Sequence, residues 1–183
     1  MLGPSDEDIR HLVELGEDAR RVWLLTYQPA DPDDRFYWWE TLVEVSLDRV
    51  RSSTLPTSMR RKYSLLAAQS TREAVKLQVT PSWKGSMRLA FLVSEYGRYP
   101  GSDVQEVLRP DQVAEDAFQA IGKSPEEVAK VADNWPSRPI DEIVELRRVK
   151  NIVHALSAMR SHVLDPKLRA TISRWLDICE KLP

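Results

Sequence analysis

Apolar residues recur along the chain with the three- and four-residue spacing of α-helices, and proline-containing stretches separate the segments that show it. Capping signals mark the starts of some segments. Ser5 with Asp8 three residues later resembles a capping box, and Ser124 is an N-cap residue with Pro125 at the first helical position. No segment alternates apolar and polar positions in the manner of a half-buried strand. The pattern therefore predicts helices at about 6–23, 35–50, 57–79, 82–97, 111–120, 125–133, 140–162 and from 166 onward.

These segments predict an all-α protein, a single helical bundle of about seven to eight helices. The helix at 82–97 is apolar nearly all round, and we expect it to form the centre of the bundle with the helix at 140–162. Val144 is among the residues of the latter that we expect to face the core. The length of 183 residues predicts one domain, 1–183, with a candidate sub-boundary in the irregular segment 97–110.

Four consecutive aromatic residues occupy the start of the second predicted helix, in the sequence RFYWWE. Successive residues of a helix are 100° apart, so these four side chains span well over half of its circumference and do not all reach one core. We expect Trp38 or Trp39 to be at least partly exposed. Because tryptophan is enriched at binding hot spots, the two residues are candidates for a protein interface.

The composition, with 42% apolar and 30% charged residues, is that of a globular protein rather than a disordered one. No window approaches eighteen consecutive apolar residues, and acids stand where a secretory signal needs basic residues, so we expect a cytoplasmic protein without membrane contact. The single cysteine, Cys179, excludes an intrachain disulfide. No nucleotide, metal or nucleophile motif stands out, so we predict no cofactor, no metal and no enzyme activity.

The net charge of −2 conceals four blocks of alternating sign. Residues 1–48 carry a net −8, 49–88 a net +8, 89–145 a net −7 and 146–183 a net +5. Only Glu73 interrupts the basic side chains of the second block, which are Arg49, Arg51, Arg60, Arg61, Lys62, Arg72, Lys76, Lys84 and Arg88. Either the blocks face each other as solvated ion pairs, or the basic block meets an anionic partner.

The stretch 51–64 favours an anionic partner, because its basic residues 60–62 lie in the first turns of a predicted helix. Basic residues oppose the helix dipole there, whereas the free amides of a helix start bind anions. Tyr63 and Trp83 flank the block and are candidates for stacking on bases. We therefore predict a non-enzymatic subunit of a nucleoprotein assembly, in which the nine basic residues bind the backbone of RNA or DNA non-specifically.

A second hypothesis is a protein–protein adaptor, an accessory protein of the immunity type. Within the predicted hairpin 111–133, residues 114–133 have the outline of a helix-turn-helix, but Glu126 and Glu127 stand at the start of its second helix, where a DNA reader enters the major groove. The hairpin is therefore expected to dock on protein, together with Trp38 or Trp39. Alternating charge blocks also permit self-association, positive face on negative face.

A third hypothesis comes from Arg147 and His154, which share one stripe of the helix at 140–162. Their spacing resembles the Arg-x(4–6)-His motif of the HEPN-family ribonucleases, which are helical bundles that dimerise. The resemblance covers these two residues and the all-α class, and Arg148 departs from the residue types usual after the motif arginine. It implies that Arg147 binds phosphate and that His154 assists proton transfer in metal-independent RNA cleavage.

Overall fold

The computed structural model describes residues 3–183 and confirms the all-α class, with no β-strand in that range. The helices are α1 (Asp6–Glu14), α2 (Glu17–Tyr27), α3 (Pro32–Arg51), α4 (Thr57–Lys76), α5 (Ser82–Tyr96), α6 (Val104–Leu108), α7 (Pro110–Ile121), α8 (Pro125–Ala132), α9 (Ile140–Met159) and α10 (Pro166–Cys179). Single 3₁₀ turns cover Trp135–Ser137 and Arg160–His162. The first predicted helix is two helices, and α6 lies in the segment expected to be irregular.

The break between α1 and α2 follows from Arg20, which is buried. Its Nε donates to the carbonyl oxygen of Leu12 at 2.9 Å, and Nη2 donates to that of Leu15 at 2.7 Å. Nη1 donates to Gln69 Oε1 at 3.0 Å, which ties both helices to α4. Burial lowers the pKa of Arg20 from its usual value, because the charged form is desolvated, and Glu17 opposes this effect. The carbonyl groups that end α1 are therefore satisfied by a side chain rather than by a continuing helix.

The chain divides into two compact units, and the predicted single domain stays a prediction. Unit 1 comprises residues up to 81 with 98–102, and unit 2 comprises 82–97 with 103–183. In unit 1, α3 and α4 form a helical hairpin, α1 packs on α4, and Trp39, Leu42 and Leu66 are fully buried.

Unit 2 is built around α5 and α9, which pack on each other and on α7, while α10 covers α8 and α9. Its core includes Leu92, Ile152 and Trp175. Val144 does not face this core, since it is 57% exposed, and the prediction for it is wrong. It lies one turn of α9 from Ile140, which is 73% exposed, so the first turns of α9 present this face to solvent. Burial raises the pKa of Cys179 to about 11, which does not favour a nucleophilic role.

Candidate nucleic-acid interface

Five of the predicted basic residues lie at one end of unit 1. Helix α3 ends at Arg51 and α4 begins at Thr57, so the loop 52–56 joins two helix ends that carry basic side chains on both sides. We call these five residues the hairpin-end cluster: Arg49, Arg51, Arg60, Arg61 and Lys62. The fold thus collects positive charge that the sequence places on two helices.

The first turn of α4 has no side-chain cap and no acidic residue. The N-cap position is Pro56, whose side chain accepts no hydrogen bond. In contrast, Ser5, Asp31, Ser124 and Asp165 cap their helices with side-chain oxygens. No local carboxylate therefore neutralises the free amides and the positive dipole end of α4. An anion-binding site needs such an unneutralised helix start.

Some basic residues of the predicted block are compensated within unit 1. Lys62 Nζ lies 2.5 Å from Glu14 Oε2, and Arg51 lies 3.5 Å from Asp48 Oδ1. At the other end of α4, Lys76 Nζ lies 3.1 Å from Glu73 Oε1, and Arg21 approaches the same oxygen at 3.6 Å. These lysines and Arg51 fit the interpretation in which the charge blocks pair internally.

Three arginines of the cluster have no carboxylate partner in the described part of the chain: Arg49, Arg60 and Arg61. The Arg60 guanidinium lies over the Tyr99 ring at 5.6 Å, and Arg61 Nη2 donates to the carbonyl oxygen of Pro100. The Nε atoms of Arg60 and Arg61 are buried without a hydrogen-bond partner among residues 3–183. Their positive charges are thus held in place by neutral groups and remain uncompensated.

A surface pocket of about 250 Å³ lies beside Arg49. Helix α1 contributes Asp6, Ile9 and Arg10, α3 contributes Val45 and Arg49, and α4 contributes Tyr63. Arg10 Nε donates to the carbonyl oxygen of Asp6 at 3.2 Å. Sequence reasoning missed Arg10, because it belongs to the acidic block and only the packing of α1 on the hairpin brings it to Arg49.

Lys76 lies outside the hairpin-end cluster. Arg60 and Lys76 are sixteen positions apart on α4, which corresponds to about 24 Å along the helix. Lys84 and Arg88 lie on α5 in unit 2, and Arg88 is 6% exposed. Arg72, Lys84 and Arg88 each have an interaction partner. Lys76 therefore does not form one compact surface with the hairpin-end cluster, and the interface predicted for all nine residues stays a prediction.

Trp38 and Trp39 are both buried, at 5% and 0% exposure, so the expectation that one of them is exposed is wrong. Trp38 stacks on Trp23 of α2, with ring centroids 6.4 Å apart. Trp39 Nε1 donates to Gln28 Oε1 at 3.0 Å. The buried arc of α3 is wider than expected, since Trp23 and Gln28 contact tryptophans that the α3–α4 packing was not expected to bury. Of the four aromatics in RFYWWE, Phe36 and Tyr37 are the exposed ones, at 40% and 55%.

Arg147 and His154 are both exposed on α9, two turns or about 10 Å apart along the axis. The neighbouring Arg148 is structural: it pairs with Glu145 and donates to the carbonyl oxygen of Ala120 at 3.0 Å. The hydrogen bond from Arg148 lowers the pKa of Glu145. Nothing in the chain tests the ribonuclease hypothesis, which stays a prediction.

The segment 111–133 forms two helices: α7 ends at Ile121 with Gly122 as its C-cap, whose φ of 68° is left-handed, and Ser124 starts α8 with a capping box. The capping hydrogen bonds from Ser124 lower the pKa of Glu127. Glu126 pairs with Arg174 of α10. The start of α8 is thus acidic, and one of its acids contacts a neighbouring helix.

Comparison with known proteins finds no matching family model, curated protein or solved structure. Within residues 3–183, none of the helices is both long and apolar enough to cross a membrane.

Proposed function

We propose that the protein is a non-enzymatic, cytoplasmic subunit of a nucleoprotein assembly that binds the nucleic-acid backbone without reading bases. One observation carries the proposal. Four arginines, Arg10, Arg49, Arg60 and Arg61, are brought to the end of unit 1 or to the adjoining pocket, and none has a carboxylate partner in the described part of the chain.

The proposed interface is narrower than the basic block of the sequence. Guanidinium groups bind phosphate through two parallel hydrogen bonds, and each neutralised phosphate releases counterions. The uncapped start of α4 adds amides and the positive end of the helix dipole. Lys62 and Lys76 are excluded from the main contact, because Glu14 and Glu73 already neutralise them.

Fluorescence polarisation with labelled single-stranded RNA and duplex DNA tests the proposal, at about 50 and 200 mM salt. We expect binding that weakens at least tenfold over this range. The double variant Arg10→Gln/Arg49→Gln removes two unneutralised charges and should flatten the slope of log K against log salt by about 1 to 2.

The matched control is Lys62→Gln/Lys76→Gln, which changes the net charge equally but removes paired lysines. It should leave the slope nearly unchanged. Absence of binding at both salt concentrations would refute the proposal, and equal losses in the two double variants would show that net charge alone is responsible.

A second candidate function, docking on a protein or on a second copy of the chain, is favoured by Phe36 and Tyr37. Both rings are exposed and meet edge to face, with centroids 5.4 Å apart. They lie next to Asp33 and Asp34, so a partner for this surface is expected to carry basic residues. Light scattering of the wild type and of Phe36→Ser/Tyr37→Ser tests self-association: a mass above that of one chain should fall in the variant.

A further inference from the structure

We propose that the pocket beside Arg49 holds one phosphate–ribose unit of an RNA strand, and that it makes the interface prefer RNA to DNA. The proposal rests on the proposed function and assigns its nucleic acid. The pocket combines three kinds of group: arginines on α1 and α3, a buried tyrosine on α4 and a carboxylate at the start of α1.

The arginines supply the phosphate contact. The Arg10 Nε is held by the carbonyl oxygen of Asp6, which leaves both terminal amino groups without a hydrogen bond to residues 3–183. Arg49 lines the same pocket, and its guanidinium forms no hydrogen bond or ion pair with the described residues. One positioned guanidinium and one unoccupied guanidinium facing a common space suit a phosphate, whose oxygens accept hydrogen bonds from both.

Tyr63 provides the second, independent observation. The residue is only 6% exposed, yet its hydroxyl forms no hydrogen bond with the described part of the chain. The hydroxyl itself is open to solvent, so it is able to donate a hydrogen bond to a ligand in the pocket. Because Tyr63 lines the pocket beside the apolar side chains of Ile9 and Val45, a phosphate or sugar oxygen there can accept a hydrogen bond from its hydroxyl.

Asp6 is the group that distinguishes ribose from deoxyribose. A carboxylate repels phosphate, so its position beside Arg10 and Arg49 weakens any ligand that consists of phosphate alone. A sugar hydroxyl reverses this effect, because it donates a hydrogen bond to the carboxylate. The 2′-hydroxyl is the donor that RNA has and DNA lacks.

The size of the pocket agrees with a single unit. Its volume of about 250 Å³ is below the range of about 300–1,000 Å³ that is typical of pockets enclosing drug-sized molecules. One phosphate and its ribose fit such a space, while the attached base and the rest of the strand extend over the surface. The pocket therefore selects the sugar and leaves the base sequence unread.

The test compares three single strands of one sequence by fluorescence polarisation at about 50 mM salt: RNA, DNA and 2′-O-methyl RNA, which keeps the ribose but loses the hydroxyl donor. We expect RNA to bind about tenfold more tightly than the other two. Asp6→Ala should abolish this preference, lowering the affinity for RNA while preserving or raising that for DNA. Tyr63→Phe should weaken RNA and DNA alike.

Glu7→Ala is the matched control, since Glu7 is the exposed neighbour of Asp6, carries the same charge and does not line the pocket. It should preserve the preference for RNA. Equal binding of RNA and DNA by the wild type, or equal behaviour of Asp6→Ala and Glu7→Ala, would overturn the assignment of the pocket and leave the proposed function standing. Failure to bind any strand would overturn both.

Discussion

The two ends of α4 are both basic, and they differ in how the fold treats their charge. At the end of the helix, Lys76 pairs with Glu73, and its positive charge also complements the negative end of the helix dipole. At the start, Arg60 and Arg61 oppose the dipole, and their side chains contact the Tyr99 ring and the Pro100 carbonyl group rather than a carboxylate of the described residues. Positive charge stabilises the fold at one end and is tolerated at the other.

This difference shows why a count of charges along the sequence does not locate a binding surface. The basic block 49–88 contains one acid, yet acids from elsewhere in unit 1, such as Glu14, neutralise part of it. An interface for an anion consists of the basic side chains that no acid of the protein neutralises. Each of the following experiments changes one end of α4 and compares it with a reference variant of matched charge or size.

Charge reversal at the start of α4 should have the greatest effect. Arg60→Glu/Arg61→Glu places two acids where the proposed interface expects phosphate, and affinity for single-stranded RNA should fall about 100-fold at 50 mM salt. Arg72→Glu/Lys76→Glu changes the net charge equally on the same helix, and affinity should fall less than about tenfold. Fluorescence polarisation measures both.

A folding control accompanies this pair, because Arg60 and Arg61 contact the segment 98–102. Arg60→Lys/Arg61→Lys keeps the charges and loses the guanidinium geometry, so it should retain most of the binding. Circular dichroism should show the same helix content in all variants. Equal losses from the two ends of α4 would remove the distinction on which the proposed interface depends.

An acid introduced into the first turn of α4, which has none, should raise the stability of the protein and lower its affinity for RNA. Ser58 is exposed in that turn, and Ser58→Glu places a carboxylate against the positive end of the dipole. The free energy of unfolding should rise by about 0.3–1 kcal/mol in urea denaturation. Affinity for RNA should fall about threefold to tenfold, because the acid competes with phosphate for the same amides.

Ser58→Gln is the reference for that variant, since it has similar length and no charge. It should change neither quantity by a comparable amount. If Ser58→Glu stabilised the protein and left RNA binding intact, the start of α4 would be an ordinary uncapped helix end and would not belong to the interface.

The sequence predicts structural features that depend on neighbouring residues, such as helix starts. It does not predict features that depend on contacts between distant residues. Capping patterns at Ser5 and Ser124 mark helix starts, and the structure has the capping boxes there. The break after Glu14 was missed because the Arg20 side chain satisfies the carbonyl groups at the end of α1, and Arg20 is held there by Gln69, far along the chain. Burial of Trp38 was missed for the same reason, since Trp23 of another helix covers it.

The candidate site follows the same division. Basic residues around the loop 52–56 are adjacent in sequence, so the hairpin-end cluster could be recognised before the fold was known. The pocket could not, because Asp6 and Arg10 reach Arg49 only through the packing of α1 on the hairpin. Which lysines are neutralised was also unreadable, since Glu14 lies in a different charge block from Lys62.

Removing the acid at the end of α4 tests whether pairing is what excludes that end from binding. Glu73 is 6% exposed and is close to both Lys76 and Arg21, so Glu73→Gln keeps the shape of the side chain and frees two cations. Both cations are more than half exposed and regain water easily, so stability should fall by only about 1 kcal/mol. If uncompensated charge governs binding, affinity for RNA at about 50 mM salt should rise two- to threefold, and the gain should vanish at 200 mM.

Glu115→Gln, on exposed α7 surface, makes the same change of net charge and should not reproduce the gain. A Glu73→Gln variant that binds no better than the wild type would mean that geometry at the start of α4, rather than the absence of carboxylates, selects the interface.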